Sequence, residues 1–181
     1  MTIITYIVHS TTFDNEKAIV SGHYDCPLSP LGIEQAISLK EQIKEINLSI
    51  IYSSPLKRCI ETANILFNST KIIYDRRLME INYGQFTHQA KKEVDSIRNL
   101  YIKQKFSEGE SYLDVEMRMR SFIQDVYQHK LITIISHQAP QFALEVICNG
   151  LSWQNAIKND WRLNKTGWKA FWIYQTPLMV R

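Results

Sequence analysis

The chain reads as an α/β protein, a three-layer sandwich around a mostly parallel central sheet. Three observations predict this. Short β-branched runs such as Ile3 to Val8 and Leu131 to Ile135 alternate with stretches whose apolar residues recur at helical spacing. Two Ser-Pro pairs, Ser29-Pro30 and Ser54-Pro55, each follow a strand or loop and look like a cap followed by proline at the first helical position. Strands that alternate with helices build parallel sheets covered on both faces.

In order, Ile3 to Val8 is a buried strand that ends at His9, and a loop rich in Asp, Asn and Gly runs on to Pro27. A helix starts at Ser29-Pro30, with Ile33, Ala36, Ile37, Ile43 and Ile46 on one face. Leu48 to Tyr52 is a second strand. Ser54-Pro55 then opens a helix carrying Leu56, Ile60, Ala63 and Phe67, and Lys71 to Tyr74 is a third strand. Thr87 to Phe106 is helical but polar, and a further helix begins near Ser111, which pairs with Asp114 as a capping box. Leu131 to Ile135 is the most apolar strand and runs into Ser136-His137. Ala143 to Cys148 is helical, and Ala170 to Tyr174 is the last strand.

A chain of 181 residues with 45% hydrophobic and 22% charged content fits one globular domain, 1–181, with a short lid-like helical excursion at about 85–108. A net charge of +3 argues for neither a nucleic acid nor a membrane partner, though it suits a small anionic substrate. Cys26, Cys59 and Cys148 are odd in number, far apart and without C-x-x-C spacing, so reduced thiols are expected rather than a disulfide framework or a zinc site. With no signal-like start and no membrane-length apolar run, the expected location is cytoplasmic. A homodimer is left open.

Ligands gather at the carboxyl ends of strands in such sheets. His9 and His137 both fall right after a strand, and Arg58 lies early in a helix that follows one, so three chemically apt residues converge on one edge. An imidazole is a competent nucleophile near neutral pH, and a guanidinium pairs bidentately with phosphate oxygens. A second imidazole can donate to developing charge, and a carboxyl group such as that of Glu80 can protonate a leaving alcohol once a bound phosphate keeps it protonated. Each of these residues alone is ordinary. Their settings are not: Val8-His9-Ser10-Thr11-Thr12 with Asn15, Ser53-Ser54-Pro55-Leu56-Lys57-Arg58, Leu78-Met79-Glu80 and Ser136-His137-Gln138 follow one another in order.

Together these motifs resemble the histidine phosphatase (phosphoglycerate mutase-like) family, from Tyr6 to about Phe142, with Gly109-Glu110-Ser111 and Arg118 also similar. The resemblance implies that His9 becomes phosphohistidine, and that Arg58 and His137 line the phosphate pocket. Asn15 would add a polar contact, Glu80 would protonate the leaving group, and no metal or organic cofactor would be needed; Ser10, a phosphate-binding candidate on its own chemistry, could either add a hydroxyl donor or narrow the site. The chain departs from the family at Val8, where an arginine is usual, and at Ser10 and Gln138, where glycine is usual. Losing one charge-stabilising donor typically costs on the order of 3–4 kcal/mol in the transition state. Arg76, Arg77, His23 and Lys57 are candidates to replace it. Three functions follow: a phosphatase for a small phosphomonoester, a phosphate-site relic that binds a ligand or protein partner, or a phosphoglycerate-type mutase. The short stretch from Gln85 to Glu108 disfavours the mutase.

Overall fold

The computed structural model describes residues 1–43, 50–68, 71–160, 162 and 171–177. Five strands, β1 (Ile3–Val8), β2 (Ile50–Ser53), β3 (Ile72–Tyr74), β4 (Leu131–Ser136) and β5 (Phe171–Gln175), form one sheet in the order β3-β2-β4-β1-β5. The first four are mutually parallel and β5 runs antiparallel against β1. Successive residues of a strand face opposite sides. Ile4, Tyr6, Val8, Ile132 and Ile134 accordingly join a core with helices α5 (Tyr112–Val126), α6 (Gln138–Asn149) and α7 (Trp153–Lys158). Ile7, Ile51 and Ile135 join a second core with α2 (Pro30–Ile43) and α3 (Lys57–Phe67). The three expected layers are present. Among the described residues no helix is long and apolar enough to cross a membrane.

Several local expectations shift. Ser29 does cap α2, its hydroxyl accepting from the Gly32 N–H at 3.3 Å. The buried stripe of α2, however, is Gly32, Ala36, Leu39 and Ile43, whereas Ile33 and Ile37 are exposed. Gly32 sets that rotation: a Cβ there would lie 1.9 Å from the Thr11 carbonyl oxygen, so the helix packs directly on the backbone that follows His9. Ile46, Leu48 and Ala170 lie outside the described residues. The loop after His9 contains a short helix, α1 (Phe13–Glu16), opened by a Thr12–Asn15 capping box. The Ser111–Asp114 box is present as expected.

Two departures bear on the site. Helix α3 starts at Lys57 rather than at Pro55, with Leu56 as its cap residue. The hydroxyl of Ser54 accepts the Leu56 N–H at 3.3 Å and also meets His137 Nε2 at 2.8 Å. Residues 87–106 are not one helix but α4 (Lys91–Ile97) and a 3-10 turn, Arg98–Tyr101. Phe86, Tyr101 and Phe106 break the run, packing ring on ring with Tyr101 stacked on Phe106 at 3.9 Å between centroids. That aromatic cluster binds the excursion to the body, because clustered rings bury far more area than a polar helix face does.

Candidate active site

The parallel register that pairs Val8 with Ser136 carries on one step, as the His9 N–H donates to the Ser136 carbonyl at 3.0 Å. His9 and His137 therefore lie side by side, ring centroids 5.1 Å apart at 59°. The Nδ1 of His9 is 2.8 Å from the Ser10 carbonyl. A carbonyl only accepts, so Nδ1 carries the hydrogen and Nε2 keeps its lone pair. Burial, and next the Arg58 guanidinium, push the His9 imidazole down to about 3, against a smaller opposing pull from the Ser10 carbonyl. Near neutral pH the ring is thus uncharged and nucleophilic.

Arg58, the second residue of α3, is only 2% exposed. It donates through Nη2 to the Gly22 carbonyl at 2.8 Å, through Nη1 to the Tyr24 carbonyl at 3.0 Å, and through Nε to His137 Nδ1 at 3.3 Å. His137 Nδ1 is then an acceptor and Nε2 the protonated nitrogen, 2.8 Å from the Ser54 hydroxyl. Burial and the charge of Arg58 hold His137 well below the usual histidine range. The ring is fully buried, between Arg58 and Ser54. Donation to a ligand oxygen, expected of His137, requires the ligand to take the place of the Ser54 hydroxyl.

Glu80 accepts three backbone N–H groups: Ile81 at 2.9 Å and Ala139 at 3.0 Å on Oε1, and Gln138 at 3.1 Å on Oε2. Gln138 and Ala139 begin α6, so the carboxylate sits at that helix's N-terminus, where orphan N–H groups and the dipole favour an anion. Arg118 fixes the approach to Glu80, donating to the carbonyls of Arg77 (2.6 Å), Met79 (2.7 Å) and Glu80 (3.1 Å) while pairing with Glu110 at 3.0 Å. His23 Nε2, 2.8 Å from the Glu80 carbonyl, holds the other side.

A hollow opens over these groups in two lobes that share His9, Asn15, Glu80, Lys91 and Gln138. The larger, about 240 Å³, adds Val8, Thr11 and Arg162. The smaller, about 50 Å³, adds Arg58 and Gly22 among others. This is small for a ligand pocket and suits a compact substrate. Asn15 spends its side-chain oxygen on the Thr12 N–H at 3.1 Å, which leaves its NH2 group to offer a ligand. Among the described residues no cluster of three or more His, Cys, Asp or Glu is poised to hold a metal.

The hollow does not receive every expected residue. Ser10 is fully buried and lines neither lobe, and its hydroxyl has no hydrogen-bond partner among the described residues. What it gives the site is its carbonyl, which orients His9. His137 likewise lines neither lobe. Gln138 does reach the hollow, but its amide is tied, donating to Asp160 and accepting from Arg98 at 2.8 Å.

None of the four cations named to offset Val8 lines either lobe. Arg77 is fastened to Asp75 (2.7 Å) and Asp125 (2.6 Å), and Arg76 is exposed. The Lys57 ammonium sits 4.0 Å from Glu61, and His23 is engaged with the Glu80 backbone. Among the described residues, the cations besides Arg58 that line the hollow are Lys91, which pairs with Asp95, and Arg162, which pairs with Asp160 at 2.8 Å. Lys91 was legible only as one of several positive residues in the excursion. Arg162 had no motif, and the only sequence signal for it was the final strand it precedes.

The two histidines, His9 half-buried and His137 buried, have a consequence for stability. Both have folded-state values below that of a free imidazole, so below about pH 6.5 the unfolded chain binds protons that the folded chain excludes. Stability is full above that value and falls with pH, by up to about 1.4 kcal/mol per pH unit for each ring, the window for His9 closing near 3. Urea midpoints at pH 7.5, 6 and 5 should decrease in that order, and equal midpoints would contradict a pair held neutral by the fold.

The family model described as histidine phosphatase superfamily (branch 1) matches residues 4–172. A putative phosphoserine phosphatase 2 of Hydrogenobacter thermophilus is 32% identical over 166 residues, covering 83% of this chain and 80% of that one. A probable phosphoglycerate mutase of Escherichia coli is 29% identical, covering 73% and 68%. Among solved structures, a phosphoserine phosphatase mutant from Entamoeba histolytica in complex with phosphoserine aligns with a TM-score of 0.76 at 25% identity, covering 87% of this chain and 85% of that one. A mycobacterial glucosyl-3-phosphoglycerate phosphatase shares the fold, with a TM-score of 0.75 at 22% identity and 87% of each chain covered. On the strength of the family match over residues 4–172, the chain belongs to branch 1 of the histidine phosphatase superfamily.

Proposed function

We propose that this chain is a phosphomonoesterase that hydrolyses a small phosphorylated metabolite through a phosphohistidine on His9. The observation that carries the reading is the tautomer of His9: its Nδ1 hydrogen is held by the Ser10 carbonyl, so the Nε2 lone pair is available on a ring that lines both lobes. In the first step Nε2 bonds to phosphorus as the ester P–O bond breaks, and the leaving alkoxide takes a proton from Glu80. In the second, water attacks phosphorus, Glu80 recovers a proton from that water, and the N–P bond breaks to release inorganic phosphate. Arg58 contributes positive charge on the wall of the smaller lobe, Asn15 an amide donor, and His137 a donor once Ser54 is displaced. The same reading takes the whole chain as one catalytic domain with residues 85–108 as its lid. Lys91, which lines both lobes, gives that lid a direct part in substrate choice.

The relatives that carry phosphatase names suggest where to look first, and phosphoserine heads the panel. The test is a screen of phosphoserine, glycerate, sugar and nucleotide monophosphates together with an aryl phosphate, combined with acid and alkaline quenches of the reacting enzyme. A phosphoryl group on imidazole survives base and is lost in acid. Turnover with an alkali-stable, acid-labile phosphoenzyme supports the proposal. Turnover without one sinks the covalent route, and no turnover on any member favours a binding role. A mutase assay primed with bisphosphoglycerate covers the remaining alternative.

A further inference from the structure

Gln138 brings a long side chain to a place where the family usually has none. It is the first residue of α6, directly after His137, and it is half-buried. It lines both lobes of the hollow. Arg58 stands on the wall of the smaller lobe only, which marks that lobe as the phosphoryl end and leaves the larger one for the alcohol. A side chain shared by the two lobes therefore borders the ester bond that joins those halves of a substrate.

The backbone places it more closely. The Gln138 N–H donates to Glu80 Oε2 at 3.1 Å, so its side chain emerges beside the carboxyl group that gives its proton to the leaving alcohol. Whatever that alcohol carries has to fit past Gln138. A glycine would keep the same N–H for Glu80 and leave the space beside it open.

The amide is also held so that it cannot swing aside. Its Oε1 accepts from Arg98 Nη2 at 2.8 Å, and its Nε2 donates to Asp160. A cation on the oxygen and a carboxylate on the nitrogen fix which way the amide faces. Turning it over would set NH2 against a guanidinium and oxygen against a carboxylate. Both partners are buried, Arg98 with 1% of its surface exposed and Asp160 with 3%. Arg98 lies over the Phe142 ring at 5.8 Å and belongs to the 3-10 turn of the 85–108 excursion. The lid thus clamps the amide from one side. A side chain tethered at both ends of its amide is a fixed wall, where a free one would be a yielding one.

We propose that Gln138 is a specificity-determining residue that confines the leaving group to short-chain alcohols and excludes the phosphomonoesters of hexoses and nucleosides. This rests on the phosphomonoesterase reading above and names the substrate class within it. Lobes of about 240 and 50 Å³ fall below the roughly 300–1,000 Å³ of pockets that enclose larger ligands. One methylene more or less against a packed wall changes selectivity by about 10- to 200-fold, so a whole ring beyond the wall is a large penalty.

The test compares kcat/KM for two compact substrates, phosphoserine and a glycerol phosphate, with that for a hexose phosphate and a nucleoside monophosphate. The readout is the compact-to-bulky ratio, in which any loss common to both classes cancels. The parent chain should favour the compact pair by about 100-fold or more, and Gln138→Gly should lower that ratio by at least about tenfold. Gln138→Met keeps the length of the side chain without its tethers, and its ratio should fall between the two. If the thermal midpoint shows that Gln138→Gly is poorly folded, Gln138→Ala opens the same space with a better helix former. A parent ratio near one, a ratio that Gln138→Gly leaves unmoved, or a Met variant that loses as much selectivity as Gly would overturn the proposal. The same ratio can be read without turnover, from calorimetric affinities of the four phosphates for His9→Ala with and without Gln138→Gly. The two readings therefore fail separately. Absence of His9-dependent turnover, with compact phosphates still bound in preference to bulky ones, removes the phosphomonoesterase and keeps the role of Gln138. Equal affinities for the two classes remove that role, and failure of all four both to bind and to turn over removes both.

Discussion

His9→Ala is expected to lower kcat/KM by about 10⁴-fold or more while leaving the protein folded. Removing a covalent nucleophile abolishes the route, and what remains is the smaller acceleration given by binding and charge alone. The loss should fall on kcat and be equal for aryl and alkyl phosphates, since both share the N–P bond-forming step. Orthovanadate or phosphate should still bind, because Arg58, Asn15 and the rim cations remain. The same variant has a second, independent signature. His9 contributes to the acid sensitivity of the fold, so its removal should flatten the pH dependence of stability, narrowing the gap between pH 7.5 and pH 5 by about 2 kcal/mol. Unchanged activity in His9→Ala would remove the nucleophile from the mechanism. An unchanged pH profile would show that the ring is not kept neutral by the fold.

Much of the site could be read in the sequence because three of its residues are fixed by strand ends, and strand ends are legible. The β-branched runs before His9 and His137 announce where each strand stops, and parallel pairing then sets the two histidines in adjacent positions. Arg58 follows from the helix after β2. The unread parts depend on forces that leave no short-range trace. The spacing puts Ile33, Ala36, Ile37, Ile43 and Ile46 on the inner face of α2; Ala36 and Ile43 are buried, but contact with the Thr11 backbone demands Gly32 on the inner side and turns Ile33 and Ile37 outward. The polar run 87–106 carries no hint that Phe86, Tyr101 and Phe106 fold back on one another. Ser54 reads as a helix cap, and its hydroxyl does accept the Leu56 N–H, but the same hydroxyl also meets the buried His137 imidazole, a contact that patterning does not encode. Arg162 depends on the direction of the last strand, which hydrophobic patterning does not encode.

Glu80→Gln tests the other half of the chemistry, and its effect should depend on the leaving group. A positioned acid contributes about 10²- to 10⁴-fold, and only where the departing oxygen needs a proton in the transition state. An alkyl phosphate such as phosphoserine should therefore lose close to that full range, while an aryl phosphate with an acidic phenol should lose tenfold or less. The substitution also has a structural cost that can be read from the donors around it. Three backbone N–H groups point at the two carboxylate oxygens, and an amide can face them with only one oxygen. Its NH2 must oppose either the Gln138 N–H or the pair from Ile81 and Ala139, which leaves buried donors unsatisfied at about 1–3 kcal/mol. Glu80→Asp keeps both oxygens but draws them back toward the 77–80 backbone that Arg118 holds in place, so it should spare stability more than alkyl-phosphate turnover. Equal losses on alkyl and aryl substrates in Glu80→Gln would mean that the carboxylate serves to anchor α6 and the proton comes from another group. A loss confined to alkyl substrates, with stability reduced as stated, assigns both roles to the same side chain: the interactions that bind it to the N-terminus of α6 also hold it on the wall of the hollow that His9 lines.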